Sequence, residues 1–261
     1  MQLNLDFKNY SSTLFGEIEK FATSTSVDDQ ITSVVSEILQ DIKNNGDQAL
    51  LERTLRYDKA NLNKSDLCIS IDEINQASTS LSEAQRTAIE EAIANVTYFH
   101  EQNLPKNWES TNSHGALIGE NYYPIRRVGL YIPGGNVPLV STVIMTATLA
   151  KVAGVHEIAV TTPPNPNGNV ATELLAALGI LGIEEVYRIG GAQAIAAIGF
   201  GTETVNPVDK IFGPGNAFVN EAKRQVFGTA GIDLLPGPSE VMVIADESAD
   251  PAFIAAALIA Q

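Results

Sequence analysis

The feature that most constrains the fold is an alternation of short apolar runs and helical stretches, which begins at Val128. This alternation is typical of repeated βα units, which form a parallel sheet with helices on its faces. The predicted strands are VGLYI (128–132), EIAVTT (157–162), EVYRI (185–189), DKIF (209–212) and VMVIAD (241–246), with IDLL (232–235) as a weaker candidate. The predicted helices between them are 138–153, 170–181, 192–200 and 216–227. We therefore predict an α/β fold with an open, mostly parallel sheet flanked by helices.

The chain before about Tyr122 has a helical pattern instead. One predicted helix carries a row of apolar residues, and Gly46 is suited to ending it. That row consists of Val34, Val35, Ile38, Leu39 and Ile42. Two further helix starts have the spacing of a capping box, Ser70 with Glu73 and Ser82 with Gln85. These signals concern packing and helix ends, so they predict structure and no chemistry.

Four turns rich in glycine and proline follow predicted strands: YIPGGN (131–136), IGGAQ (189–193), FGPGNA (212–217) and LPGPSE (235–240). The carboxyl ends of parallel strands face one side of a sheet, so we expect these loops to converge on one crevice. Glycine lets the backbone approach a ligand closely, and a helix that starts after the turn directs free amides at it. The polar side chains of these loops are Tyr131, Asn136, Gln193, Asn216, Ser239 and Glu240. Neither G-x-G-x-x-G nor a P-loop is present, so the pattern alone predicts an α/β ligand-binding protein.

Composition excludes several classes of partner. The net charge of -15 argues against a nucleic-acid partner, which needs a positive surface. The longest uncharged stretch, 128–150, is broken by prolines and glycines, so no membrane span is predicted. One cysteine, Cys68, permits no intrachain disulfide, and the N-terminus does not have the pattern of a signal peptide. We expect a cytoplasmic protein with a small-molecule partner.

Four blocks carry a resemblance to a known family: VGLYIPGG, GGAQAIAAIGFGTE, VDKIFGPGNAFVNEAKRQVFG and IDLLPGPSEVMVIAD. Their order and spacing resemble histidinol dehydrogenase, densely over about 128–261 and more loosely before that, where NNGDQAL (44–50) also fits. The resemblance implies oxidation of L-histidinol to L-histidine through histidinaldehyde, the last step of histidine biosynthesis, with NAD and a zinc-dependent substrate site. It also implies a homodimer built from Rossmann-like halves, in an architecture related to aldehyde dehydrogenases.

The resemblance also implies a division of the chain. Residues 1–127 would be a helix-rich segment that packs with the second Rossmann-like half, 128–238 the NAD-binding domain, and 239–261 the start of the second half. By the same resemblance, Tyr131, Gln193 and Asn216 would contact NAD. Ser239 would contact the substrate, and Gln261 would bind both metal and substrate.

The family's catalytic Glu-His pair and its remaining metal ligands would follow Gln261, so no catalytic residue is assigned within the chain. The 261-residue chain alone is therefore expected to be inactive and to bind no zinc tightly. Those roles are not reassigned to the three histidines. His100 is expected at the edge of a core, His114 in an exposed loop, and His156 in a turn before a strand.

Two other functions stay open at this stage. The chain could be an NAD-binding module without chemistry, or an enzyme of the aldehyde dehydrogenase type, which uses a cysteine nucleophile. Cys68 is the only candidate for that nucleophile, and its apolar setting, LCISI, predicts a buried residue instead.

Overall fold

The computed structural model describes residues 12–23, 29–134, 138–236 and 241–260. These belong to two compact units, one formed by 28–235 and the other by 1–27 with 236–261. The described helices are α1 (Ser12–Thr23), α2 (Asp29–Asp58), α3 (Ile71–Ser80), α4 (Glu83–Gln102), α5 (Val140–Val152), α6 (Thr172–Ile180), α7 (Gly191–Phe200), α8 (Ala217–Val226) and α9 (Pro251–Ala260). The described strands are β1 (Trp108–Thr111), β2 (Leu117–Glu120), β3 (Arg127–Tyr131), β4 (Glu157–Thr162), β5 (Glu185–Arg188), β6 (Lys210–Phe212) and β7 (Gly231–Ile232).

The larger unit is built around a five-stranded sheet with the order β5-β4-β3-β6-β7. All four pairings in it are parallel, as the alternation of strands and helices predicts. Tyr131 lies opposite Thr161 of β4, and Leu130 lies opposite Phe212 of β6. The α/β fold and its four crossover helices are thus confirmed, with strand ends within one or two residues for β3 to β6.

One predicted strand is wrong. The run VMVIAD (241–246) has no regular secondary structure, and Ile244 is 92% exposed. A strand needs a hydrogen-bonding partner, and none of the described residues supplies one to this run. The weaker candidate at 232–235 is reduced to the short β7.

The core of the larger unit has two parts, one on each face of the sheet. Leu130 contributes to the part that contains α5 and α6, whereas Tyr131 contributes to the part that contains α7. Neighbouring strand residues point to opposite faces, so β3 serves both parts. The N-terminal helices complete these layers, because α2 packs on α7 and α8, α3 on α6, and α4 on α5.

The predicted helix end at Gly46 is a break within α2. Gly46 has φ 51° and ψ -131°, a conformation that suits glycine and interrupts the helix. A β-carbon at this position would lie 2.3 Å from the Glu203 carboxylate. The next residue, Asp47, is 4% exposed and accepts hydrogen bonds from Thr202 and Thr204. The break therefore fixes the second half of α2 against the loop after α7.

The remaining N-terminal predictions concern helix starts and a loop. Ser82 forms the predicted capping box with Gln85, and the Ser70 side chain accepts a hydrogen bond from the Glu73 amide. His114 lies in an exposed turn, as predicted, and this turn joins the strands of an antiparallel hairpin that was not predicted, β1 with β2, whose strand residues are all exposed. Among the helices that the structure describes, none is both long and apolar enough to span a membrane.

Candidate functional site at the carboxyl edge of the sheet

The strand order identifies one position in the sheet as the expected ligand site. The chain runs from β3 outward through β4 to β5, then returns to place β6 and β7 on the other side of β3. The order therefore reverses between β3 and β6. In open α/β sheets, ligands bind outside the carboxyl ends of the strands at such a switch point. The loops after β3 and β6 are two of the glycine-rich loops singled out in the sequence.

Three of these glycines lie where the loops meet. A β-carbon on Gly134 or on Gly190 would lie 2.4 Å from the Pro163 ring, and one on Gly213 would lie 2.1 Å from the Tyr131 carbonyl oxygen. Real β-carbons do not approach other atoms so closely, so only glycine permits this packing. The described parts of the loops after β3, β5 and β6, three of the four loops predicted to converge, consequently meet at one edge, together with Pro163 after β4. The fourth loop, 235–240, lies mostly outside the described residues.

Tyr131 is the last residue of β3 and is 4% exposed. Its hydroxyl oxygen accepts a hydrogen bond from the Gly191 amide at 3.2 Å, which joins the end of β3 to the start of α7. Burial, together with the nearby negative charge of Asp58, raises the pKa of Tyr131 to about 12. The phenol is therefore neutral at physiological pH and is held in place by the α7 backbone.

Gln193 lies in the first turn of α7 and is 1% exposed. Its side-chain amide donates a hydrogen bond from Nε2 to Oδ2 of Asp58 at 3.2 Å. Burial raises the pKa of Asp58 to about 6, although the hydrogen bond from Gln193 acts in the opposite direction. The structure thus brings Tyr131 and Gln193 together through Gly191, and it adds Asp58, which the sequence reasoning missed.

Asn216 is the N-cap of α8 and is exposed. Its Oδ1 accepts a hydrogen bond from the Val219 amide at 3.1 Å, which leaves the NH2 group of the side chain directed elsewhere. Asn216 lies on the loop that reaches the Tyr131 backbone at Gly213. Its hydrogen bond is to its own helix, so the structure does not join it directly to Tyr131 or Gln193.

An ion pair between Lys223 and Asp233 holds the loop after β6 in place. Lys223 of α8 is 1% exposed and donates a hydrogen bond from Nζ to the Gly213 carbonyl at 3.0 Å. Lys223 also forms an ion pair with Asp233, whose Oδ2 accepts a hydrogen bond from the Gly213 amide at 2.9 Å. Both backbone groups of Gly213 are therefore satisfied by one charged pair, which holds the loop rigidly. A lysine and an aspartate ten residues apart form no recognisable sequence pattern, so their contacts with Gly213 could not have been predicted.

A largely apolar cavity of about 730 Å³ borders the same loop on the α5 side of the sheet. Its lining includes Tyr122, Met145, Leu149 and Phe212. Its carboxylate, Asp233, is already engaged by Lys223 and Gly213. The cavity thus offers mainly van der Waals contact, whereas the Tyr131–Gln193 side of the edge carries polar groups, of which Tyr131 and Gln193 are buried and Asp58 is half-buried.

Two predicted site residues, Ser239 and Gln261, lie outside the described residues, as do Asn136 and Glu240. Within the described ranges, no group of three His, Cys, Asp or Glu side chains could hold a metal ion. None of the three histidines belongs to the loops of the carboxyl edge. His100 is in the last turn of α4, His114 is at the tip of the hairpin, and His156 is in the turn before β4.

Cys68 differs from its predicted environment, because it is exposed rather than buried. Its backbone forms an isolated antiparallel β-bridge with Tyr187 of β5. Its neighbours Leu67 and Ile69 are the residues that face the core. The alternation of an extended chain explains this outcome. Partial burial of the thiol and the nearby Glu185 carboxylate raise the pKa of Cys68, which disfavours the thiolate that a nucleophile requires.

Comparison with known proteins identifies one family. The family model for histidinol dehydrogenase matches residues 22–261. The histidinol dehydrogenases of Synechococcus sp. and Ruegeria pomeroyi are each 44% identical to the chain, over 94% and 98% of its length. The chain covers 57% and 58% of those relatives, so it spans little more than half their length. The crystal structure of histidinol dehydrogenase from Elizabethkingia anophelis matches 97% of the chain with a TM-score of 0.85 and 38% identity, over 57% of that structure's chain.

Proposed function

The chain belongs to the histidinol dehydrogenase family, and on this premise we propose that it is the cofactor-binding part of an NAD-dependent oxidoreductase. The proposed reaction of the whole enzyme is the two-step oxidation of L-histidinol to L-histidine through histidinaldehyde. The observation that carries the proposal is the arrangement at the β3/β6 switch point. There, Gly191 joins the Tyr131 hydroxyl to the helix turn that bears Gln193.

The residues at this edge fit NAD. The close approaches at Gly134, Gly190 and Gly213 bring the backbones of the loops after β3, β5 and β6 together at the carboxyl edge. The buried hydroxyl of Thr161, opposite Tyr131, has no hydrogen-bond partner among the described residues. NAD, when bound, accepts a hydride from the carbon that bears the substrate's hydroxyl group.

We propose that Tyr131, Gln193 and Asn216 hold this cofactor. Tyr131 contributes a neutral phenol ring at the end of β3. Gln193 contributes an amide whose orientation is fixed by Asp58. Asn216 contributes the NH2 group that remains after its oxygen has capped α8. The protein's part at this edge is thus to bind and orient, which is the part that a cofactor enzyme must supply.

We propose Ser239 as a substrate residue and Gln261 as a residue for both substrate and zinc, from the family motif alone. The described side chains do not form a metal site, so no step is derived through zinc. About two fifths of each relative's own length lies outside the part that it shares with this sequence. We propose that the acid and base residues and the other metal ligands belong to that additional part.

Calorimetric titration of the purified 261-residue chain with NAD, followed by an assay with histidinol, tests this function. We expect NAD binding and no histidine production. Absence of NAD binding would overturn the assignment, and turnover in a clean preparation would show that the catalytic groups lie within the chain. Gln193→Leu should weaken binding by about tenfold, since it removes one hydrogen bond and leaves Asp58 without a donor. Gln48→Leu on the exposed face of α2 is the matched control and should bind normally.

A second candidate is an NAD-binding module without chemistry. It is favoured by the arrangement of Tyr131 and Gln193, which positions groups for binding at the switch point. Mixing the chain with the complementary part of a relative separates the two functions. Recovery of histidinol oxidation supports the enzyme, whereas NAD binding that never leads to turnover supports the module. An aldehyde dehydrogenase mechanism is not proposed, because Cys68 lies beside β5 with a raised pKa.

We also propose that the full-length enzyme is a cytoplasmic homodimer without nucleic-acid or membrane partners. The single cysteine and the net charge of -15 support this location and this choice of partners. Sedimentation of the full-length enzyme tests the dimer, and a monomer would contradict it.

A further inference from the structure

Asp58 is an acidic residue that the fold delivers to the carboxyl edge of the sheet from far away in the sequence. It is the last residue of α2 and is half-buried. Its Oδ2 accepts a hydrogen bond from Gln193 at 3.2 Å, and the described part of the chain gives it no cationic partner. A half-buried carboxylate normally has several donors or an ion pair. Asp58 therefore has hydrogen-bonding capacity that the described protein groups do not use.

The position of Asp58 is set by the packing of two helices. At one end, Asp47 binds Thr202 and Thr204 just after α7 ends. At the other end, Asp58 contacts Gln193 in the first turn of α7. Eleven residues of helix span about 17 Å, which is close to the length of α7 itself, so the second half of α2 runs antiparallel along it. Asp58 is thus placed by the rigid layers of the fold.

The backbone after Asp58 supports this placement. Lys59 has φ 61°, the left-handed conformation that often follows the end of a helix. Its Nζ donates a hydrogen bond to the Arg56 carbonyl at 2.7 Å, which satisfies one of the free carbonyl groups at the end of α2. The helix therefore ends sharply at Asp58, so its carboxylate stays at the edge of the sheet.

The usual acidic residue of dinucleotide-binding sheets is missing from its usual place. In such sheets, a carboxylate about twenty residues beyond the first glycine turn, after the second strand, binds the ribose hydroxyls. Here the corresponding strand, β4, ends in Thr161 and Thr162 and continues as PPNPNGNVAT without an acidic residue. Pro163 of that segment packs against Gly190, three residues before Gln193. Asp58 thus lies at the edge where the fold normally supplies a carboxylate.

We propose that Asp58 binds the hydroxyl groups of the adenosine ribose of NAD and excludes cofactors that carry a 2′-phosphate. This proposal rests on the NAD-binding function proposed above. A ribose diol supplies the donors that the carboxylate lacks, and hydrogen bonds to a charged acceptor are strong. A 2′-phosphate would instead place negative charge against Asp58. The raised pKa of Asp58, about 6, still leaves the group mostly ionised at neutral pH.

The test compares the dissociation constants of NAD and NADP for the wild-type chain and for Asp58→Asn. Asparagine can still accept the hydrogen bond from Gln193 but carries no charge. We expect the wild type to prefer NAD, and we expect Asp58→Asn to reduce the ratio of the two dissociation constants by about tenfold or more. ADP-ribose and its 2′-phosphate should show the same change, because the effect concerns only the adenosine half.

Asp72→Asn is the matched control, since it removes one negative charge from an exposed position in the first turn of α3. It should leave the ratio unchanged. If Asp58 only orients Gln193, Asp58→Asn will alter both affinities equally or not at all, and an unchanged ratio overturns the inference. A wild-type chain that binds neither dinucleotide would overturn the proposed function itself. Circular dichroism of each variant establishes that the folded protein is being compared.

Discussion

The two edges of the parallel sheet differ in how their charges are paired. At the amino edge, the Arg127 side chain is 5% exposed and binds Glu185 at 2.5 and 2.8 Å and Glu157 at 3.1 Å. Arg126 adds pairs with Glu157 and Asp209. At the carboxyl edge, Lys223 and Asp233 form an ion pair, but Asp58 has one neutral donor. Glycines there take positions where a β-carbon would overlap a neighbouring loop.

The pKa values of two carboxyl groups express the same difference. Burial acts to raise the pKa of Glu185, but hydrogen bonds from Arg127 and Tyr187 and the charge of Arg127 bring it below its usual value. Burial raises the pKa of Asp58 to about 6, because the hydrogen bond from the neutral Gln193 offsets only part of the effect of burial. The amino edge is thus satisfied within the protein, whereas the carboxyl edge keeps polar groups that a ligand can satisfy. We interpret the amino edge as structural and the carboxyl edge as the binding edge.

Removal of the central charge at the amino edge should have the largest effect on stability. Arg127→Met leaves Glu185 and Glu157 without their buried partner, and we expect the free energy of unfolding to fall by about 3–5 kcal/mol. Arg126→Met is the control, because that side chain is 64% exposed, and its loss should cost less than about 1 kcal/mol. Urea denaturation measures both. Equal losses of stability in the two variants would contradict the structural role of Arg127. Weaker NAD binding by folded Arg127→Met would contradict that role too.

Gly213→Ala tests whether the glycines of the carboxyl edge are needed for close packing. Gly213 has φ 124°, and a β-carbon there would overlap the Tyr131 carbonyl oxygen. We expect a loss of at least about 2 kcal/mol in stability and weaker NAD binding, because the loop must shift. Gly228→Ala is the control, since Gly228 has φ 104° but no atom within 4 Å of the added carbon. It should lose about 1 kcal/mol from backbone strain and bind NAD normally. Equal losses of stability and equal NAD affinities in the two variants would argue against the packing explanation.

Asn216 allows the capping role to be separated from the binding role. Asn216→Ala should destabilise the protein by about 1 kcal/mol, because α8 loses its N-cap, and should also weaken NAD binding. Asn216→Ser retains an N-cap oxygen but lacks the NH2 group. It should therefore keep near-normal stability while still binding NAD more weakly in a calorimetric titration. Normal affinity in both variants would contradict the assignment of Asn216 to the cofactor site.

The smallest expected effect is a pH-dependent gain in stability for Asp58→Asn. The folded pKa of about 6 exceeds the ordinary value, so the folded state binds more protons than the unfolded state between about pH 4 and pH 6. Ionisation of Asp58 therefore lowers the stability of the wild type, relative to that of the neutral variant, as the pH rises through this range. Tyr131, whose pKa Asp58 raises, stays neutral throughout.

The full pKa shift of Asp58 corresponds to about 3 kcal/mol, and solvent access to the carboxylate reduces the expected gain to roughly 1 kcal/mol. Urea denaturation of the wild type and Asp58→Asn at about pH 4 and about pH 7.5 measures it. The variant should be more stable only at the higher pH. A difference of the same size at both values would show that Asp58 is not destabilised by burial of its charge.

The sequence predicted the sheet well because its signals are local. Strands such as EIAVTT (157–162) and helix caps such as Ser82 depend on neighbouring residues, and both appear where predicted. The run VMVIAD (241–246) has an equally strong strand pattern, yet a strand also requires a partner that pattern cannot reveal. The hairpin of β1 and β2 was missed for the opposite reason, because its exposed faces leave no apolar alternation.

The candidate site was predictable only in part. Tyr131 and Gln193 could be selected as candidates because they adjoin glycine-rich turns at strand ends, and topology brings such turns together. Asp58 and the Lys223–Asp233 pair were not found, because their roles depend on how α2 and α8 pack against the sheet. Side chains that act through tertiary contacts leave no spacing in the sequence that would mark them.

Hydrogen–deuterium exchange with and without NAD tests the central contrast between the two edges most directly. We predict that NAD slows exchange in peptides containing residues 131–134, 190–193 and 213–217, and leaves peptides around Arg127, Glu157 and Asp209 unchanged. Protection at the amino edge, or no protection anywhere at saturating NAD, would contradict the account.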